Sequence, residues 1–216
     1  MTIGKPFQPH EKRKFGDLRR GHYTEFEDDG TLAMHGDATV YRDEFGSLLA
    51  SKLESPASHI VQDSTEGVLE FKTTCVYGTD WVLANFQFNH DREDGSVVSP
   101  HLHWFQSNAA IPNWLIQYRW QVNGQAKTVA WTNKKYTTHA FSYSAGTLTQ
   151  ITAFGTISPP AGAGISSILQ VKLIRDTTNA SALFSGADPL AASAFALFCD
   201  VHKRVDMVGS RSEYTK

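Results

Sequence analysis

The hydrophobic pattern of the chain changes near residue 67. From there onward apolar and polar side chains alternate at period two, the spacing that puts every second residue on one face of a strand. Val82, Ala84, Phe86 and Phe88 share one such face, and Trp114, Ile116, Tyr118, Trp120 and Val122 share another, with Gln117, Arg119 and Gln121 opposite them. Asn123-Gly124 then predicts a hairpin into a strand over 127–135, because both residue types tolerate the positive φ of a tight turn. Further strands are expected over 68–76, 101–106, 147–157, 165–175 and 195–205. Pro159-Pro160 with Gly162 and Gly164 marks a loop, and 177–189 a longer excursion suited to a surface contact. Roughly eight strands, with no helical periodicity between most of them, predict an all-β, jelly-roll-like antiparallel β-sandwich.

Residues 1–66 carry no sustained period, with only a short strand expected over 38–41 and a short helix over 45–53. The segment reads as an extended N-terminal arm for docking and assembly, with 67–216 as the sandwich domain. An arm without a core must lie on the body or on another chain, since ordering its backbone costs about 1–2 kcal/mol per residue. Its charge is uneven. Lys5, Lys12, Arg13, Lys14, Arg19 and Arg20 face two acids within the first 20 residues, whereas 21–66 holds two bases and ten acids. Lys12, Arg13, Arg19 and Arg20 are therefore the candidate docking residues for an acidic surface, the alternative being a solvated tail.

Composition narrows the class. The chain has 216 residues, is 41% hydrophobic and 19% charged, and carries an unusually high 12% of aromatic residues. A formal charge of -2 speaks against a basic nucleic-acid binder, and the apolar runs are too short to span a bilayer, so neither nucleic acid nor membrane is expected as a partner. Cys75 and Cys199 form no framework; buried free thiols are expected, with a disulfide between them as the alternative. No basic-then-apolar leader is visible, which suggests synthesis and retention in a cytosol.

Chemistry is sparse. No nucleophile elbow, P-loop, HExxH or dinucleotide fingerprint occurs, so no catalytic residue and no cofactor is expected. Asp91, Glu93 and Asp94 beside Gly95 read as a polar turn. His101-Leu102-His103 is the exception, because two histidines at i and i+2 on a strand project from one face and can share a metal. The pair resembles the first half of the cupin metal motif, although Ser107 and Asn108 stand where that family carries its Glu, and a third ligand would have to come from His139 or His202. The competing reading gives both histidines hydrogen bonds and aromatic contacts. Trp114, Tyr118, Trp120 and Trp131 are candidates for the core or for an intersubunit contact, and exposed aromatics would also suit a carbohydrate-binding module.

Three stretches point to one family. Ser99-Pro100-His101-Leu102-His103-Trp104, then Trp114-x-x-x-Tyr118-x-Trp120, then Phe198-Cys199-Asp200-Val201-His202 leading into Asp206-Met207-Val208-Gly209-Ser210-Arg211, together resemble small structural proteins of tailed bacteriophages. Asp29-Gly30-Thr31 and 36–40 fit the opening arm of the same group. The resemblance implies a virion subunit made in the host bacterial cytoplasm, a symmetric homo-oligomer such as a trimer. It would decorate and cement the capsid or join tail and fibre components, with His101 and His103 as packing or interface residues.

Overall fold

The computed structural model describes residues 13–27, 30–46, 48, 59–63, 65, 67–106, 110–126, 129–139, 146–164 and 166–208. Among the described residues three strands come first: β1 (Lys14–Asp17), β2 (His22–Phe26) and β3 (Leu32–His35), which form an antiparallel sheet of their own in that order. There follow β4 (Val40–Gly46), β5 (Ile60–Gln62), β6 (Leu69–Phe71), β7 (Val82–Gln87), β8 (Ser99–Gln106) and β9 (Trp114–Gln121). The chain continues through β10 (Thr132–Lys135), β11 (Thr138–His139), β12 (Gly146–Ala153), β13 (Ile168–Arg175) and β14 (Ala194–Val205).

Two antiparallel sheets make the body. The large one runs β11-β12-β8-β14-β6-β5, with β4 also paired to β14; the small one runs β10-β9-β13-β7. Four pairs nest along the chain: β6 with β14, β7 with β13, β8 with β12 and β9 with β10. Successive pairs fall alternately in the large and the small sheet, as they do when one long paired ribbon is rolled up. That is the topology of a jelly roll.

Alternation decides which residues fill the space between the sheets. In β8, Pro100, Leu102, Trp104 and Gln106 are buried, while His101, His103 and Phe105 point outward. Phe71 meets Trp114 edge-on at 5.1 Å, Trp104 meets Trp114 at 6.0 Å, and Phe88 lies 5.2 Å from Trp120. A bulge between Ala196 and Phe198 shifts the phase of β14, so that Cys199 and Val201 point inward and Asp200 and His202 outward.

Several expectations need adjusting. The strand expected over 38–41 begins at Val40, and Phe45 and Gly46, where a helix was expected, still belong to β4; residues 49–53 lie outside the described ones. β4 and β5, both from the segment read as an arm, are strands of the large sheet. The Asn123-Gly124 turn is present, with Gly124 at φ +83°, but Thr132 pairs with Tyr118, so the connection runs over 122–131 and is not a two-residue hairpin. Cys75 and Cys199 are free and buried.

Candidate functional site: the N-terminal sheet and the outer face of the large sheet

The three-stranded N-terminal sheet has two unlike faces. On one, Glu25 is buried between Lys14 Nζ (3.1 Å) and His35 Nε2 (3.3 Å), and His35 stacks on Tyr23 at 4.5 Å. On the other, Phe15 and Phe26 meet edge-on at 6.4 Å and remain 56% and 50% exposed. The sheet is tied to the body along β3, where Ala33 bridges Met207 and the Val208 N–H donates to the Leu32 carbonyl. At the opposite edge β1 is exposed along its whole length.

The predicted docking residues sit on this sheet. Arg13 precedes β1 and is exposed; Arg19 and Arg20 occupy the exposed β1–β2 turn, where both backbone N–H groups donate to Asp17 Oδ1. Lys12 lies outside the described residues. The aromatic candidates divide differently. Trp114 and Trp120 are buried inside the sandwich and Tyr118 packs against its core, so an intersubunit role for these three is corrected to core packing: they occupy the inward-facing positions of β9. Trp131 lies on the outer face of the small sheet, with Arg119 stacked over it at 4.4 Å and Lys172 Nζ at 4.4 Å.

The outer face of the large sheet gathers the histidines. His101 stands opposite Asp200 in the β8–β14 register, and His202 stands opposite Asp43 in the β14–β4 register. The rings of His101 and His202 are 4.2 Å apart. His202 Nε2 lies 2.9 Å from Asp43 Oδ1 and 3.9 Å from Asp200 Oδ2, while His103 Nε2 lies 3.6 Å from the same Asp200 oxygen. Phe198 stacks on His103 at 4.2 Å and fixes its ring. Burial holds the His101 imidazole below its ordinary value; the neighbouring His202 adds to this and Asp200 opposes it.

Of the two histidines considered as a third partner for His101 and His103, His202 is therefore the one beside them. The backbone of His139 pairs with Thr152, leaving β12 between β11 and β8. Sequence reasoning missed Asp200 and Asp43. Asp200-Val201-His202 carries the same i, i+2 signal as the histidine pair, whereas nothing local marks Asp43.

The acidic turn proves to be a structural junction. Asp91 is buried against Lys203 Nζ (2.8 Å) and Arg42 Nη1 (2.9 Å), Lys203 also reaches Glu44 at 2.8 Å, and Glu93 pairs with Arg204 at 3.0 Å. Charges shared in this way hold β4, β14 and the loop after β7 together.

Strand order and layer arrangement thus define a β-sandwich of jelly-roll topology with an appended N-terminal sheet. No protein-family model matches the chain, and no curated protein does. Among solved structures, a carbohydrate-binding module described for its specific recognition of mannan is similar at a TM-score of 0.29 and 9% identity, over 76% of this chain and 89% of that one. Among the described residues no helix is long and apolar enough to cross a membrane.

Proposed function

We propose that this chain is a structural subunit of a tailed-bacteriophage virion that acts by protein association, as a capsid decoration or tail-joining protein. The observation that carries the reading is the N-terminal sheet, which presents Phe15 and Phe26 to solvent beside the exposed strand β1. Apolar rings on a sheet next to a strand edge that, among the described residues, pairs with nothing are what a second strand or sheet covers. The sheet sits outside the sandwich, so covering it costs the body nothing. The Pro100–Trp104 stretch and the Asp200–Arg211 stretch supply the resemblance to phage structural proteins.

The occupant of this face is a second copy of the chain in a closed homo-oligomer, with Arg13, Arg19 and Arg20 at its rim. Light scattering on the purified chain should give an oligomer. The double variant Phe15→Ser/Phe26→Ser should give a monomer with unchanged tryptophan fluorescence. A wild-type monomer at micromolar concentration would contradict the association, and absence of the chain from purified particles by mass spectrometry would contradict the virion assignment.

A second reading, glycan binding, has one observation in its favour. On the outer face of the small sheet Trp81 and Trp131 flank Lys172 Nζ at 4.2 and 4.4 Å, with Gln117 and Asn133 hydrogen-bonded to each other alongside. Aromatic rings with convergent amides suit a sugar ring. Binding on a glycan array that Trp81→Ala abolishes would establish this reading, and an array without a response would dismiss it.

A further inference from the structure

The large sheet's outer face brings together five groups of metal-ligating type that the assembly reading does not use. Asp43 comes from β4, Asp200 and His202 from β14, and His101 and His103 from β8. Asp43, Asp200 and His202 each offer a ligand atom within 4.8 Å of the other two.

The state of Asp200 is the telling one. Its residue is only 3% exposed, on a central strand, yet among the described residues Oδ1 has no hydrogen-bond partner. Its other oxygen has two imidazole nitrogens near it, at 3.6 and 3.9 Å, both beyond hydrogen-bonding reach. A buried carboxylate left in this condition is costly, because desolvation removes its water and two imidazoles beyond hydrogen-bonding distance replace it only in part. Two donors that each lie about 2.1 Å from a shared ion end up about 3 to 3.5 Å apart at ordinary bond angles. The separations of 2.9 and 3.9 Å from His202 to Asp43 and Asp200 bracket that spacing, so a modest closure would bring these three onto one ion, with His103 3.6 Å from Asp200 at its edge.

We propose that Asp43, Asp200 and His202, with His103 beside them, bind one divalent transition-metal ion. Two carboxylates neutralise the ion, and imidazole nitrogens favour zinc-like metals over magnesium or calcium. Asp43 is half-exposed and gives the ion its way in. Phe198, stacked on His103, holds that ring in place from the side. With one ligand on β4 and two on β14, the ion clamps the N-terminal part of the chain to the C-terminal strand. The site stands whether or not the N-terminal sheet associates.

The test is zinc titration of the full-length chain by calorimetry after EDTA stripping and dialysis. One equivalent should bind. Asp43→Asn and His202→Asn, both at substantially exposed positions that leave the core untouched, should each weaken binding at least tenfold. His59→Asn should not, although His59 also sits against a carboxylate, 2.7 Å from Asp80. Independently of any variant, zinc should shift the imidazole nitrogen resonances of His202 and His103 and leave those of His22 and His59 in place. Equal binding by wild type and both site variants, no saturable binding below millimolar zinc, or shifts confined to other histidines would each overturn the proposal.

Discussion

Arg175 Nε and Asp188 Oδ2 lie 2.7 Å apart, and both side chains are closed off from solvent. The same guanidinium donates to the carbonyl oxygens of Phe71 and Leu190, at 2.8 and 2.6 Å, while Asp188 Oδ1 accepts from the Leu190 N–H. The last residue of β13 thereby pins the long 176–190 excursion onto the start of the large sheet. Asp188→Asn keeps the shape and the contact to Leu190 but leaves a buried cation without its counter-charge. It should cost about 3–5 kcal/mol, read as a lower urea midpoint at unchanged slope.

Gly46 ends β4 where that strand packs closely against β7. A Cβ added there would stand 2.6 Å from two ring carbons of Phe86 and 3.0 Å from the Ala84 side chain, so β4 can lie over β7 only if this residue has no side chain. Gly46→Ala should destabilise the protein by about 1–3 kcal/mol through overpacking, measured by thermal or urea unfolding. Gly67→Ala makes a useful contrast, since nothing lies within 4 Å of its added Cβ and any loss there comes from φ +70° alone.

The two thiols should be chemically silent in the folded chain. Burial, with the charge of Asp80 adding to it, pushes Cys75 up to about 12, and burial pushes Cys199 up as well. Both groups keep their protons more firmly when folded than an ordinary thiol does near pH 9, so their stabilising contribution is complete below pH 9 and declines as pH rises from there towards 12. Ellman's reagent at pH 8 should find no fast-reacting thiol in the native protein and two in urea. Unfolding midpoints should fall between pH 9 and 11, by less in Cys75→Ala than in wild type.

Much of the body was legible because its signal is local. Val82, Ala84 and Phe86 alternate with the less buried Leu83, Asn85 and Gln87, and the same residues are the buried face of β7. The histidine pair was legible for the same reason: His101 and His103 share the outward face that the i, i+2 spacing assigns them. The start of the helix expected over 45–53 is a strand instead, because short apolar patches carry no clear period and pairing with β14 overrides local preference at Phe45 and Gly46.

By itself the sequence determined the strands of the body from β6 onward, β11 apart, the two-sheet class and, outside the bulge of β14, which residues of those strands share a face, since side-chain direction follows from backbone geometry one residue at a time. Only the tertiary structure decided how those faces were used. It put Trp114 and Trp120 in the core and Trp131 under two cations on the outside, and it set Asp43 of β4 opposite His202 of β14. Register between strands far apart in the chain is a property of the whole packed sheet, in which every pairing must bury its apolar face at once. No local pattern carries that information.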